Sequence, residues 1–102
     1  MSDETKSTIQ LPNNLKLSID ESTAQGHYSN FQVVGSNETE FVLDFAYVQP
    51  HQPVGKVRDR VIVSPKHAKA LVRMLSERVR DYEARYGNIP APQRPSGSGL
   101  PN

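Results

Sequence analysis

The chain has 102 residues, with 12 Lys and Arg, 11 Asp and Glu, 3 His, 8 Pro and no Cys, and its net charge is +1. Only 35 % of it is hydrophobic, below the roughly 45–50 % of ordinary globular domains, so one domain at most is expected, with part of the chain outside it. The missing cysteines exclude disulfides, thiolate metal sites and Cys nucleophiles. No apolar run approaches the roughly 18 residues a membrane span needs. The polar, acidic start Met1-Ser2-Asp3-Glu4 does not read as a secretory signal. A cytoplasmic protein is expected.

The small net charge hides a division. Residues 1–55 hold 2 basic and 7 acidic side chains, and residues 56–86 hold 9 basic and 4 acidic ones. Two explanations stand. The halves neutralise each other, within a subunit or across a self-interface. Otherwise the basic half meets an acidic partner or nucleic acid.

Residues 1–13 are polar and without periodicity, and residues 90–102 are rich in Pro, Gly and Ser. Both read as disordered tails, leaving a single α+β domain over residues 14–89. Leu15-Lys16-Leu17-Ser18-Ile19-Asp20 alternates as a half-buried strand does. Residues 20–26 break the pattern, and Tyr28 to Val34 resumes it. Gly35-Ser36-Asn37-Glu38 has turn chemistry. Glu40 to Val48 is the most apolar strand. Phe41, Leu43, Phe45 and Tyr47 fall on one face, and Val42, Asp44, Ala46 and Val48 on the other, as for an inner strand. Val57 to Val63 is the fourth strand. The connections are too short for parallel crossovers, which predicts a four-stranded antiparallel β-meander.

One long C-terminal amphipathic helix follows. Ser64 suits the N-cap, Pro65 the first helical position, and Gly87 a left-handed end. Ala68, Val72, Leu75, Val79, Tyr82 and Tyr86 recur at spacings of 4, 3, 4, 3 and 4, an a/d stripe. At 1.5 Å per residue the helix reaches about 33 Å, longer than short strands can cover. The stripe therefore predicts a homo-oligomer, dimer or tetramer, with Val72, Leu75, Val79, Tyr82 and Tyr86 at its interface. The second sheet face leads to the same expectation. Val42 lies there with Asp44, Arg58 and Arg60, and buried charges persist only when paired. Asp44 is expected to pair with Arg58 or Arg60, on the neighbouring strand or across a two-fold axis, the rival being an open, water-facing sheet with both arginines exposed.

Several segments together resemble a known family. They are Ala24-Gln25-Gly26-His27-Tyr28-Ser29-Asn30, Thr39-Glu40-Phe41-Val42-Leu43-Asp44-Phe45, Lys56 to Lys69, and Tyr82-Glu83-Ala84-Arg85-Tyr86-Gly87. They are similar to the domain-of-unknown-function family 3467 of bacteria and archaea, over about residues 13–90. The resemblance supports the architecture and carries no activity, substrate or catalytic residue with it.

The search for chemistry returns little. His27, His51 and His67 show no ligand spacing, so no metal and no cofactor is expected. Ser64 is explained by capping rather than by nucleophilic catalysis, and Asp44 beside an arginine stays ionised. No catalytic residue is assigned and no enzyme is expected. The expected function is that of a non-enzymatic oligomeric binding or adaptor module with an unidentified protein partner. The alternative is a nucleic-acid-binding or transcription-associated accessory protein. It would use Lys66, Lys69, Arg73 and Arg80 on one side of the helix, with His67 and Lys66 also able to hold an anion at the helix start.

Overall fold

A computed structural model describes residues 6–90. Residues 1–5 and 91–102, the outer parts of the two expected tails, lie outside the described residues. The chain runs through β1 (Lys6–Gln10), β2 (Lys16–Asp20), α1 (Glu21–Gln25), β3 (Phe31–Ser36), β4 (Phe41–Val48), β5 (Gly55–Val63) and α2 (Pro65–Tyr86). The class is α+β with antiparallel sheets. Five strands in two sheets, β1-β2 and β3-β4-β5, replace the expected single four-stranded meander.

The reason lies in two local signals. Leu11-Pro12-Asn13-Asn14-Leu15 is a hairpin loop. Pro12 presets the first turn position, the Asn14 amide donates to the Leu11 carbonyl at 3.1 Å, and Asn14 takes φ 68. A proline-led turn closed by a residue at positive φ joins adjacent antiparallel strands. Lys6–Gln10, read as part of a polar tail, is thereby brought alongside Lys16–Asp20, with Ile9 opposite Leu17. The second signal is Asp20 to Gly26. Asp20 is extended (φ −71, ψ 154), Glu21 puts an acid in the first turn, and Gly26 ends α1 at φ 72. This single helical turn separates β2 from β3, so the hairpin does not join the larger sheet.

In that sheet β4 is the central strand, as its apolar composition predicts. Phe41, Leu43 and Phe45 stand opposite Val63, Val61 and Asp59. Val42 and Asp44 stand opposite Ile62 and Arg60. A register shift between Phe45 and Ala46 leaves Arg58 as an extra residue on β5, a bulge that re-aims side chains beyond it. Gly35 continues β3 opposite Val42, and the turn moves to Asn37, whose Oδ1 accepts from the Thr39 and Glu40 amides at 2.8 and 3.0 Å.

α2 forms as its caps predict. Ser64 is extended, its Oγ accepts from the His67 amide at 3.2 Å, and Pro65 occupies the first position. Gly87 ends the helix at φ 96, ψ 167, a positive φ with an extended ψ instead of the expected left-handed geometry. The fold leaves its core incomplete. Ala46 and Ala68, at 7 % and 8 % exposure, are the buried apolar residues among those described, and no large side chain is fully buried. The radius of gyration is 16.8 Å, against about 13 Å for a compact chain of this length.

Candidate functional site

α2 carries an exposed apolar face. Val72, Leu75, Val79, Tyr82 and Tyr86 fall on one stripe by the helical repeat. Val72 is 65 % exposed, Leu75 59 % and Tyr86 70 %. Val72, Leu75, Ser76 and Val79 line a shallow apolar groove, and the Tyr82 and Tyr86 rings lie against each other at 4.9 Å. Ala68, the first residue of the stripe, is the one buried within the chain. The helix therefore meets its own sheet only near its start. Its remaining four turns carry the apolar stripe without a cover.

The sheet supplies a second feature. Asp44 and Arg60 are cross-strand partners. The Arg60 guanidinium donates from Nε to Asp44 Oδ1 at 2.7 Å and from Nη2 to Oδ2 at 2.8 Å, the two-pronged geometry that favours arginine over lysine. Hydrogen bonding from Arg60 holds the Asp44 carboxyl below its ordinary range, partial burial opposes that, and the Arg60 charge adds to it. Asp44 in turn raises Arg60. Of the two arginines expected to serve Asp44, Arg60 does so. Arg58 sits at the bulge and lines a recess with Tyr47, Val54 and Lys56. The four sheet residues expected at one interface are thus split. Val42, Asp44 and Arg60 share a neighbourhood across β4 and β5, and Arg58 falls beyond the register shift. Ile62, opposite Val42, is 56 % exposed while Ala46 on the same face is buried, so this face is open on its β5 side.

The basic residues Lys66, His67, Lys69, Arg73 and Arg80 are all exposed on α2. His67 is drawn to the cap, with Nδ1 3.0 Å from Ser64 Oγ. The other four follow one side of the helix. The first half of α2 has no acidic residue, whereas Glu77, Asp81 and Glu83 interrupt the second half. Arg78 and Asp81 approach to 3.6 Å there.

Two contacts were not legible in advance. His27 Nδ1 lies 2.8 Å from Asp59 Oδ2, tying the segment after α1 to β5. Ser22, Thr23 and Gly26 line an open recess beside this pair. Asn30 acts as a pseudo-residue of the sheet. Its Nδ2 donates to the Val48 carbonyl at 3.0 Å and its Oδ1 accepts from the Val48 amide at 2.9 Å. A polar run directly before a strand, Gly26 to Asn30, was the available signal. Among the described residues no group of three His, Asp or Glu side chains converges as a metal site would require.

The model of a family described as proteins of unknown function, DUF3467, matches residues 1–91. The chain belongs to DUF3467. That match spans every element from β1 to α2, so the resemblance read from residues 13–90 extends to the N-terminal hairpin. No curated protein and no solved structure is similar to this DUF3467 chain. No helix among its described residues is long and apolar enough to cross a membrane.

Proposed function

We propose that the protein is a non-enzymatic binding module that self-associates and acts through protein–protein contacts. One observation carries this reading. Large apolar side chains on α2 and on the β3-β4-β5 sheet are exposed, while the described residues bury only two alanines. A small domain with so thin a core gains stability by covering such surfaces with another chain. The charge division fits the same reading, because the acidic and basic halves meet within the chain at Asp44–Arg60 and leave the helix cations for other contacts.

Light scattering of the full chain over a hundredfold concentration range tests the proposal. A dimer or tetramer is expected. A monomer that unfolds cooperatively at every concentration would overturn it.

A second reading has its own support in the acid-free first half of α2. Lys66, Lys69 and Arg73 follow one exposed side there, with Arg80 two turns on, and such a stripe is the footprint of phosphate binding. In this reading the module holds nucleic acid. Retention on random duplex DNA should then fall steeply with salt and disappear in the Lys69→Glu, Arg73→Glu double variant. Unchanged retention in that variant removes α2 from the reading.

A further inference from the structure

We infer that α2 pairs with α2 of a second copy in antiparallel orientation, centred near Glu77. This rests on the self-associating reading and names its surface. The alternating spacing of Val72, Leu75, Val79, Tyr82 and Tyr86 is that of a two-helix seam, and all five are exposed.

Side-chain size selects the orientation. With the helices antiparallel and centred near residue 77, Val72 meets Tyr82 of the second copy and Leu75 meets Val79, and Tyr86 reaches the level of Ala68, which its own chain buries, so the seam ends there. A small residue then faces a large one at the ends and two of middling size meet near the centre, so the seam keeps one thickness. Parallel pairing sets Val72 on Val72 and Tyr82 on Tyr82, a thin layer and a thick one on straight helices, which close packing disfavours.

Charge is compatible with the same orientation. The cations Lys66, Lys69 and Arg73 lie in the acid-free first half, and Glu77, Asp81 and Glu83 lie in the second. Lys66, Arg73, Glu77 and Asp81 face away from the seam by the heptad. By the heptad, Lys69 and Glu83 flank the seam on the same side, and the register above brings Lys69 opposite Glu83 of the second copy, twice by symmetry. Glu83 Oε2 accepts from the Ile89 amide at 2.9 Å, and Oε1 remains for the lysine. Arg78 comes opposite its own copy, with Asp81 of the same helix 3.6 Å away to offset the repulsion. Burial of Ala68 ties the start of each helix to its own chain, so antiparallel pairing keeps the two sheets at opposite ends of the seam.

The absence of cysteine makes the test direct. Spin labels are placed singly on the solvent side, at Glu77→Cys and at Ala84→Cys, and the distance between copies is measured. In the antiparallel pair the labels at 84 are offset along the axis by about 21 Å, and those at 77 are not. A longer distance at 84 than at 77 is expected. Equal distances mean parallel pairing and overturn the orientation. Leu75→Arg, at a position already exposed in the single chain, should abolish the dimer. A dimer untouched by it overturns the inference while self-association stands, and a monomeric wild type overturns both. Lys69→Glu should weaken the dimer about tenfold, and adding Glu83→Lys should restore it. Failure of that rescue refutes the register.

Discussion

Asn30 and Asp44 show how single residues hold an open sheet together. The Asn30 side chain satisfies both backbone groups of Val48 at the end of the β4 ladder. Asn30→Ala would leave both without protein partners, at a cost of about 2 kcal/mol, since an unpaired partly buried group loses roughly 1–3 kcal/mol. The denaturant midpoint measures this, and a change within error would show that water replaces the amide fully. Asp44 makes a pH prediction. Its folded-state carboxyl is held low by Arg60. A depressed acid stabilises above its unfolded value, near the ordinary 3.8, and that contribution is lost as pH falls through the lower folded value. Stability should therefore be flat in this respect near neutrality and decline in acid below about pH 4. Asp44→Asn should lose stability at neutral pH and show a shallower acid decline, followed by midpoints at fixed protein concentration. Identical acid limbs in the two proteins would assign the decline elsewhere.

At the scale of elements, the helix and the hairpin formed for reasons written locally, and they differ in how visible those reasons are. Ser64, Pro65 and Gly87 bracket α2 unambiguously, because a cap acceptor, a residue without an amide proton and a residue tolerant of positive φ each satisfy a helix end. Ser64→Ala should cost about 1 kcal/mol in thermal or chemical unfolding without lowering helical content in the native baseline. Loss of helix signal in that baseline would mean that the cap nucleates α2. The β1-β2 hairpin was less visible. Thr8, Ile9 and Gln10 carry too little alternation to read as a strand, and only the Pro12-Asn13-Asn14 loop announces the pairing. α1 reads in the sequence as a break because a single turn offers no periodicity. The Phe45/Ala46 bulge left no mark in the pattern either. It separates Arg58 from Arg60, two residues that plain alternation sets on one face.

For the whole molecule, the incomplete core is the governing fact. β1-β2, the larger sheet and α2 are each hydrogen-bonded within themselves, yet large apolar side chains on all three remain exposed. If those side chains meet in a self-associated protein, unfolding couples to dissociation. The melting temperature should then rise with protein concentration, by mass action on the native assembly. Melting followed from low to high micromolar concentration gives this directly, and a concentration-independent midpoint would argue that the chain is stable alone. The stripe on α2, its excess length and the Asp44 pairing were legible from spacing and charge. The contacts of His27 and Asn30 were not, because each joins residues distant in the chain, at separations of 32 and 18, which no local pattern encodes.

Local chemistry in this chain settled the helix with its N-cap, the central place of β4 and the antiparallel pairing. These depend on periodicity and on capping and turn residues, all of which act within a few residues. Tertiary structure alone separated the strands into two sheets, chose Arg60 over Arg58 for Asp44, and showed that α2 touches its own sheet only near Ala68. Those outcomes turn on register, on one bulge and on where a connecting turn aims the chain. A shift of a single residue reverses which face a side chain occupies, so only the assembled geometry distinguishes them.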